Sequence, residues 1–566
     1  MKILKYLAII SVFSLLISGF FHKITAITQD LGRHFLLGEI ILKTFNVPKT
    51  NLFSYTYPDF PFINLHWLSE VLFYLVFKAS GFSGLLIFST LIVVAAFAII
   101  YFKTYKSNNL LLITISSTIY LNVLFERTDI RPEIFSFLFL SVFISILYKN
   151  RGKFSKLIFL LPFLELLWVN IHIYFIIGIA VIGIFLVEQL LIKRSFKDNS
   201  FLKLLAVLFL SLIVTLFNPN GILGAIYPLV FSNNYGYTIE ENQNIFFLWD
   251  YSQKITIAYF GVCVSFLFLS FLINIKKVRL VDFILSIFFT FLAASAIRHF
   301  PLFVLGTLIA FVYNFSTVFP RISLKTQAIG ISILIVIIGF QMSQIVKAND
   351  FGFGVEQGAK KGADFYLKNG LKGPIFNNFD VGGYLDYRFY PKERVFIDNR
   401  PGEYPASFFQ NTYIPMQQDQ AVFNKVDKKY KFNIIFFSYL DQTPWAIVFI
   451  KNVVNDKNWK MTYLDDYSVI FAKDNSQNKN LISKFEINKE NFKINPDFDK
   501  DKNALIRSSM FFNKAGWQDQ EILSYQKILA IDPIFCPALY NLASYYSQKN
   551  DPLGSIYLIR FQSSCR

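Results

Sequence analysis

The sequence predicts a polytopic α-helical membrane protein of about eleven transmembrane helices and two outer interface helices, followed by a small α/β domain and a short α-helical tail. Three observations carry this. Hydrophobic residues make up 54% of the 566-residue chain and charged residues only 16%, and Phe alone occurs 67 times. A soluble chain has roughly 45–50% apolar and about 25% charged residues, so the excess belongs in lipid. Long apolar runs alternate with short clusters of Lys and Arg. After residue 346 the composition shifts to short apolar strands and amphipathic helices. The net charge of +17 is spread between apolar runs rather than gathered on one face. It therefore speaks for membrane orientation and against nucleic acid.

A spanning helix needs about 20 mostly apolar residues. Segments 3–21, 82–102, 109–125, 132–148, 157–171, 173–192, 203–217, 256–275, 280–297, 300–318 and 326–346 fit or approach that length. The first, MKILKYLAIISVFSLLISGFF, fits a signal peptide or a retained anchor; its long apolar core, with no clean small-x-small site after it, favours the anchor. Residues 65–80, LHWLSEVLFYLVFKAS, are a candidate twelfth span, but short and carrying Glu70 and Lys78. Loop charge decides. With Lys2 and Lys5 inside and 65–80 lying along the outer surface, the clusters Lys103/Lys106, Lys149/Arg151/Lys153/Lys156, Lys193/Arg194/Lys197, Lys276/Lys277/Arg279 and Arg321/Lys325 all fall inside. If 65–80 crosses, all fall outside. Cytoplasmic loops are the ones rich in Lys and Arg. Segments 32–45 and 65–80 are therefore expected at the outer interface. Residues 1–348 form the membrane domain, multi-pass in the cytoplasmic membrane, with the N-terminus cytoplasmic and the C-terminal domains extracytoplasmic.

Residues 349–475 read as the α/β domain. PIFNN (374–378), RVFID (394–398) and NIIFF (433–437) are expected strands, separated by helices near 405–424 and 444–455. WKMTYL and YSVIFA form an expected hairpin around Asp465 and Asp466. A small, largely parallel sheet with covering helices is the expectation. Residues 476–500, rich in Lys, Asn and Asp, read as a linker. Residues 501–566 are helical and TPR-like: Trp517, Tyr525, the Ala530 and Pro533 pair and Asn541-Leu542-Ala543 have the spacing of tetratricopeptide repeats. About one and a half repeats are present, fewer than a free-standing solenoid needs. The tail therefore packs on the α/β domain or takes a protein partner. Of the three cysteines, Cys263 lies in an apolar run; Cys536 and Cys565 could pair, which spacing leaves open. No cysteine or histidine pattern matches a structural zinc site.

This topology gathers one set of residues on the outer side. All five histidines (His22, His34, His66, His172, His299) fall there, with Asp30, Glu39, Glu70, Glu126, Asp129, Glu240, Glu241, Arg33, Arg127, Arg131 and Arg298. Polar residues collect at helix ends in any membrane protein, but the inner loops lack histidine and are nearly free of acids. Asp30, if a helix begins near residue 31, fits an N-cap, or a general base at the membrane surface. Arg33 and His34 follow one turn on, where a phosphate can be held, and the Asp30/His34 pair offers two ligands to a divalent cation. Glu165 sits in mid-span, where an ionisable group is costly and a functional candidate by default; a packing hydrogen bond from its protonated form is the alternative. His172, seven residues on, shares its helix face, about 10 Å nearer the outer surface. Arg127 and Arg131 flank Asp129, and Arg298 and His299 precede Pro301; arginine forks suit phosphate, and headgroup contacts or loop salt bridges would use them equally. Asp398, with Arg400 after it, reads best as a turn salt bridge. The sequence contains no phosphate-binding glycine loop, nucleophile elbow or metalloprotease pair.

The run from DLGRH (Asp30–His34) through Gly38-Glu39-Ile40, Asn46–Pro48, Leu52–Thr56 and WLSE (Trp67–Glu70) resembles the first outer loop of bacterial proteins in the GT-C glycosyltransferase superfamily. Further matching pieces are Arg131-Pro132, WVNIH (Trp168–His172), NPNG (Asn218–Gly221), Glu240, Arg298-His299, NNFDVGGYL (Asn377–Leu385) and VFIDNR (Val395–Arg400). The resemblance spans nearly the whole chain and includes enzymes that modify protein with mannose or lipid A with aminoarabinose. It implies a transferase using a polyprenyl-phosphate sugar as donor, with an acid of the first outer loop as base or metal ligand and interface helices in that loop. Relatives often have paired acids there; this sequence has Gln29, Asp30 and Leu31. On this reading Asp30 and Glu165 are catalytic candidates, and Arg33, His34, Glu70, Arg127, Arg131, His172, Glu240, Arg298 and His299 bind substrate. The acceptor is a glycan, lipid or protein that the sequence leaves open. The alternative is a non-catalytic anchor for envelope assembly that recruits a partner through the tail. A transporter would need a polar path from both sides, and the inner halves of the spans are almost purely apolar.

Overall fold

The computed structural model describes residues 2–25, 30–105, 109–152, 154–230, 235–319, 322–494 and 500–565. Gln29 and the loop cations Lys106, Lys153 and Arg321 lie outside these residues. The membrane domain runs α1 (Lys2–Phe20), α2 (Leu31–Thr44), α3 (Trp67–Thr104), α4 (Leu110–Leu124), α5 (Glu133–Gly152), α6 (Leu161–Ile171), α7 (Phe175–Lys193), α8 (Asn199–Val214), α9 (Gly221–Val230), α10 (Ile245–Ser252), α11 (Ile255–Ile273), α12 (Leu280–Ser295), α13 (Phe300–Val318) and α14 (Leu324–Ala348). Among the described residues, seven helices are long and apolar enough to cross a membrane: α1, α3, α5, α7, α11, α13 and α14. The protein is a multi-pass membrane protein. The other four expected spans are shorter helices (α4, α6, α8, α12), the longest having 16 residues, or roughly 24 Å at 1.5 Å per residue. Helices α9 and α10 were not anticipated; at 10 and 8 residues they are too short for a span-length window. They leave Ile222, Leu223, Leu229, Phe246 and Tyr251 exposed.

Residues 65–80 and 82–102 fall in one helix, α3, but Gly81 breaks it with φ 64 and ψ −163. Only glycine takes that conformation without strain. The first limb, 67–80, lies against α2 so closely that a Cβ on Gly38 would sit 2.2 Å from the Glu70 carbonyl oxygen. His66 and Arg127 line one cavity. The chain between them therefore leaves this end of the bundle and returns to it.

The α/β domain has one four-stranded sheet, β1 (Ile375–Asn377), β2 (Ile434–Ser438), β3 (Trp459–Leu464) and β4 (Ser468–Lys473), in the order β1-β2-β4-β3. Only β1 and β2 are parallel; the other pairings are antiparallel. This corrects the expected largely parallel sheet. The cause is the run Arg394–Asp398, which is no strand. Val395 exchanges backbone hydrogen bonds with Phe53 and Tyr55 of the first loop (3.0 and 3.1 Å), and the Phe396 N–H donates to Asn377 Oδ1 at 2.9 Å. A side-chain amide thus takes the place of a ladder neighbour. Two helices flank the expected strands, α15 (Lys360–Lys368) and α16 (Phe379–Phe389). Helix α16 sits on α2, where a Cβ on Gly32 would lie 2.9 Å from Tyr387 Cβ.

Four helices form the tail, Lys502–Ala515, Gln518–Ile531, Cys536–Gln548 and Leu553–Ser564. The first joins the α/β domain: Phe511, Phe512 and Trp517 are buried in its core with Phe376, Phe437 and Phe449. Lys514 Nζ donates to the Tyr439 and Asp441 carbonyl oxygens, both at 2.6 Å. Cys536 and Cys565 form a disulfide that ties the last two helices together, and Cys263 is free and buried.

Candidate active site

The N-terminal ends of α2, α3, α5 and α13, the C-terminal ends of α4, α6 and α12, and the loop between α9 and α10 meet beneath the α/β domain. They enclose two adjoining cavities, of about 450 and 680 Å³, that share Asp30, His66, Arg127, Arg131, Tyr235, Glu241 and Arg298 as lining residues. Arg33, His34, Glu70, Glu133, His172, Arg400 and Glu403 line the lower one; Glu240, Lys254 and Asp380 line the upper.

Asp30 precedes α2 as an N-cap, yet its side chain caps nothing. Its Oδ2 lies 3.7 Å from Arg131 Nη1, and its Oδ1 is buried without a hydrogen-bond partner among the described residues. Burial alone would raise the carboxyl's pKa, but Arg131, His34 and Arg33 outweigh burial and hold it below the ordinary value. Asp30 is therefore held as a carboxylate in the cavity wall.

Opposite it stand the arginines. Arg127 Nε donates to Glu133 Oε1 at 2.7 Å. Arg127 and Arg131 share one oxygen of Glu241, at 2.5 and 2.9 Å. Burial would raise the Glu241 carboxyl too, and Arg131, Arg127 and Arg298 drive it far down instead. Arg298 is set by Tyr174 (Nε to Oη, 2.8 Å) and Asn242 (Nη1 to Oδ1, 2.9 Å). The sequence reading placed Glu240 at the site. In the structure Glu241 is the residue on the arginines, and Glu240 pairs with Lys254 at 2.9 Å on the upper wall.

The histidines form a connected row. His34 Nδ1 donates to Glu70 Oε1 at 3.0 Å, and Asn64 Nδ2 donates to Glu70 Oε2 at 2.7 Å. The rings of His34 and His66 are 6.3 Å apart, and those of His66 and His172 5.1 Å. His172 Nδ1 accepts from the Tyr174 N–H (3.3 Å) and from the Ser136 hydroxyl (2.9 Å), which itself accepts from Trp168 Nε1 (2.8 Å). A neutral His172 so engaged carries its proton on Nε2. Burial, reinforced by His34, pushes His66 down to about 3, and burial with His66 holds His172 well below its ordinary value. Both rings are neutral at physiological pH.

Glu165 and His299 are not among the lining residues. The Glu165 carboxyl is fully buried in the bundle near Gly178 and Trp168, with no hydrogen-bond partner among the described residues. His299 Nδ1 bonds to the Leu292 carbonyl at 2.9 Å and its ring meets Tyr174. Sequence reasoning left out Glu133 and Glu403, counted Glu241 in the outer set without a role, and gave Arg400 only a turn salt bridge. Arg400 does make the turn salt bridge to Asp398, but it also holds Asn51 Oδ1 at 2.9 Å and closes the cavity. No group of three His, Cys, Asp or Glu side chains is placed to hold a metal among the described residues. The surroundings of Asp30 are cationic, so the residues present do not fit a divalent cation there.

The fold is similar to that of solved oligosaccharyltransferase and ArnT structures. The chain superposes on the oligosaccharyltransferase AglB of Archaeoglobus fulgidus, in complex with an inhibitory peptide and dolichol-phosphate, with a TM-score of 0.57 at 11% identity over 93% of this chain and 86% of that one. The apo form of the Archaeoglobus oligosaccharyltransferase gives 0.57 at 10% over 92% and 85%. ArnT from Cupriavidus metallidurans gives 0.50 at 10% over 82% and 97%. At these identities the likeness is one of fold. The sequence matches no protein-family model and no curated protein.

Proposed function

We propose that the protein transfers a sugar from a polyprenyl-phosphate donor to an acceptor at the outer face of the cytoplasmic membrane. The observation that carries this is the convergence of a carboxylate, Asp30, whose Oδ1 has no hydrogen-bond partner among the described residues, and three arginines, Arg127, Arg131 and Arg298, on one cavity of a GT-C-like fold. One of the neighbours with that fold is held with a dolichol-phosphate, which supports a lipid phosphate as the donor's leaving group.

The step is an inverting displacement. Asp30 removes the acceptor hydroxyl proton; the acceptor oxygen bonds to the anomeric carbon as the sugar–phosphate bond breaks. The electron pair leaves with the polyprenyl phosphate. Arg131 and Arg298, with Arg127 behind them, offset the developing phosphate charge, and the protonated Nε2 of His172 is a further donor. Donors already fixed around the developing charge need no reorganisation at the moment of reaction. Glu241 occupies the arginines when no phosphate is there and is displaced by it.

The outer location rests on the Lys and Arg clusters at the opposite helix ends. The Cys536–Cys565 disulfide supports it, because such bonds persist in oxidising compartments. Substrate binding is the primary test. In lipid nanodiscs, native mass spectrometry should show polyprenyl phosphate bound to wild type and lost from Arg298→Ala. Equal occupancy in both would remove the arginines from the donor site. The alternative, an anchor recruiting partners through the tail, draws only on the helices after residue 517, since the first tail helix is engaged in the α/β core.

A further inference from the structure

One cation of the lower cavity has no partner. Five arginines line that cavity, Arg33, Arg127, Arg131, Arg298 and Arg400. The last four are held by the carboxylates, amides and hydroxyl described above. Arg33, 7% exposed, makes no hydrogen bond and no ion pair among the described residues. Its Nε is buried, while Nη1 and Nη2 keep accessible surface on a side chain that lines the cavity. A guanidinium keeps its charge in any protein, and burying one without a partner is costly.

The five acids that line the same cavity face other groups. Glu133 and Glu241 are taken by Arg127 and Arg131. Glu70 uses both oxygens on His34 and Asn64. Asp30 faces Arg131, and Glu403 Oε2 lies 3.4 Å from Arg400 Nη1. Burial pushes the Glu403 carboxyl up to about 8 and holds that of Asp386, on α16, well above its ordinary value. Both therefore bring Arg33 little negative charge at pH 7. Nor does Arg33 join the phosphate arginines. Arg127, Arg131 and Arg298 line both cavities, and Arg33 only the lower one, which Arg400 and Glu403 of the α/β domain also line. Its neighbour Gly32 packs against Tyr387 of α16. A second phosphate on the donor would lie on the lipid side of the first, away from this wall. Arg33 follows Asp30 by one turn of α2, so it stands beside the sugar ring when the anomeric carbon lies between Asp30 and the phosphate arginines. Its Nη1 and Nη2 form the fork that fits a carboxylate.

We infer that the donor sugar is a hexuronic acid whose carboxylate Arg33 binds through Nη1 and Nη2. This rests on the transferase reading above. The test compares short synthetic polyprenyl phosphates bearing glucuronate, galacturonate or mannuronate, each against its neutral hexose, by native mass spectrometry in nanodiscs. At least one uronate should bind wild type about tenfold or more tighter than its hexose. Arg33→Gln should erase that preference and still bind bare polyprenyl phosphate as wild type does. Arg33→Lys, which keeps the charge without the fork, should retain part of the preference, and it carries the test if the Gln variant fails to fold. Equal binding within all three pairs to wild type overturns the proposal, as does a preference that survives Arg33→Gln. Loss of bare polyprenyl phosphate from Arg33→Gln, or an Arg33-dependent preference for polyprenyl diphosphate, would put Arg33 at the leaving group and overturn it too. Wild type that binds bare polyprenyl phosphate but prefers no uronate sinks the acidic sugar alone, whereas failure to bind the bare lipid sinks the transferase reading.

Discussion

The two ends of the helix bundle hold the same kinds of charged residue and use them in opposite ways. At the end away from the α/β domain, Arg151 reaches both oxygens of Glu188 (2.7 and 3.0 Å), and Glu188 also accepts the Val281 N–H at 3.0 Å. Arg279 pairs with Asp282, which accepts from the Tyr148 hydroxyl at 2.5 Å, and its guanidinium lies 3.5 Å from the Tyr313 ring centre. Among the described residues, none of these side chains has a buried polar atom without a partner. Under the α/β domain, Asp30 Oδ1 and Arg33 Nε are buried and unpartnered among the described residues. Closed networks fix helices to one another. An open one, whose groups are held by protein but not exhausted by it, is arranged for something absent.

That contrast can be broken by substitution. Asp30→Asn keeps the shape and removes the base. Transfer should fall about 10²–10⁴-fold, the usual contribution of a general base, with the melting temperature unchanged. Wild-type turnover by purified Asp30→Asn would sink the assignment. Removing one partner at the closed end should do the reverse. Glu188→Ala strands Arg151 and the Val281 N–H and should cost about 3–5 kcal/mol of stability, read by thermal unfolding in detergent, while the remaining folded protein keeps its KM. A changed KM with no loss of stability would mean the far end is coupled to the site. Arg298→Ala should weaken polyprenyl phosphate about 10–100-fold, as expected for losing about 1.5–3 kcal/mol of charged hydrogen bonding.

Two effects of pH are smaller. Asp30 is held below its ordinary range and His66 down at about 3, so the rate should show no acid limb between pH 5 and 7; a fall centred near 6.5 would mean a histidine titrates in the site. Glu403 is pushed up by burial to about 8, against the pull of Arg400. The folded protein then holds a proton that the unfolded chain releases near 4.5. Stability contributed by the protonated form is full below about 4.5 and is lost as pH rises toward 8. Glu403→Gln should flatten that decline in unfolding curves taken across the window.

Much of the fold was legible because lipid imposes one strong rule. Each of the eleven expected spans falls on a helix. The α/β domain obeys weaker rules. The run Arg394–Asp398 has strand composition, but its partners are the first loop and an Asn377 side chain, which no local pattern announces. The site divides the same way. Asp30, Arg127, Arg131, His172 and Arg298 sit at or beside helix ends that meet at one end of the bundle. Glu241 was indistinguishable from Glu240 until the α9–α10 loop chose which one faces the arginines. Arg400 and Glu403 come from 370 residues beyond Asp30, and only the seating of α16 on α2 brings them over the cavity. Glu165 drew notice as a charge in mid-span, and its surroundings offer it no partner among the described residues.

The first tail helix brings Phe511 and Phe512 into the α/β core, and Trp517 follows just after it. Cut the chain at the polar stretch before residue 501, where composition changes, and a sheet domain is left with an open wound where three aromatic rings had been. The natural handle for display, fusion or crystallisation is therefore the far end of the tail, past the disulfide, and the smallest fragment worth expressing ends after Trp517 rather than before it.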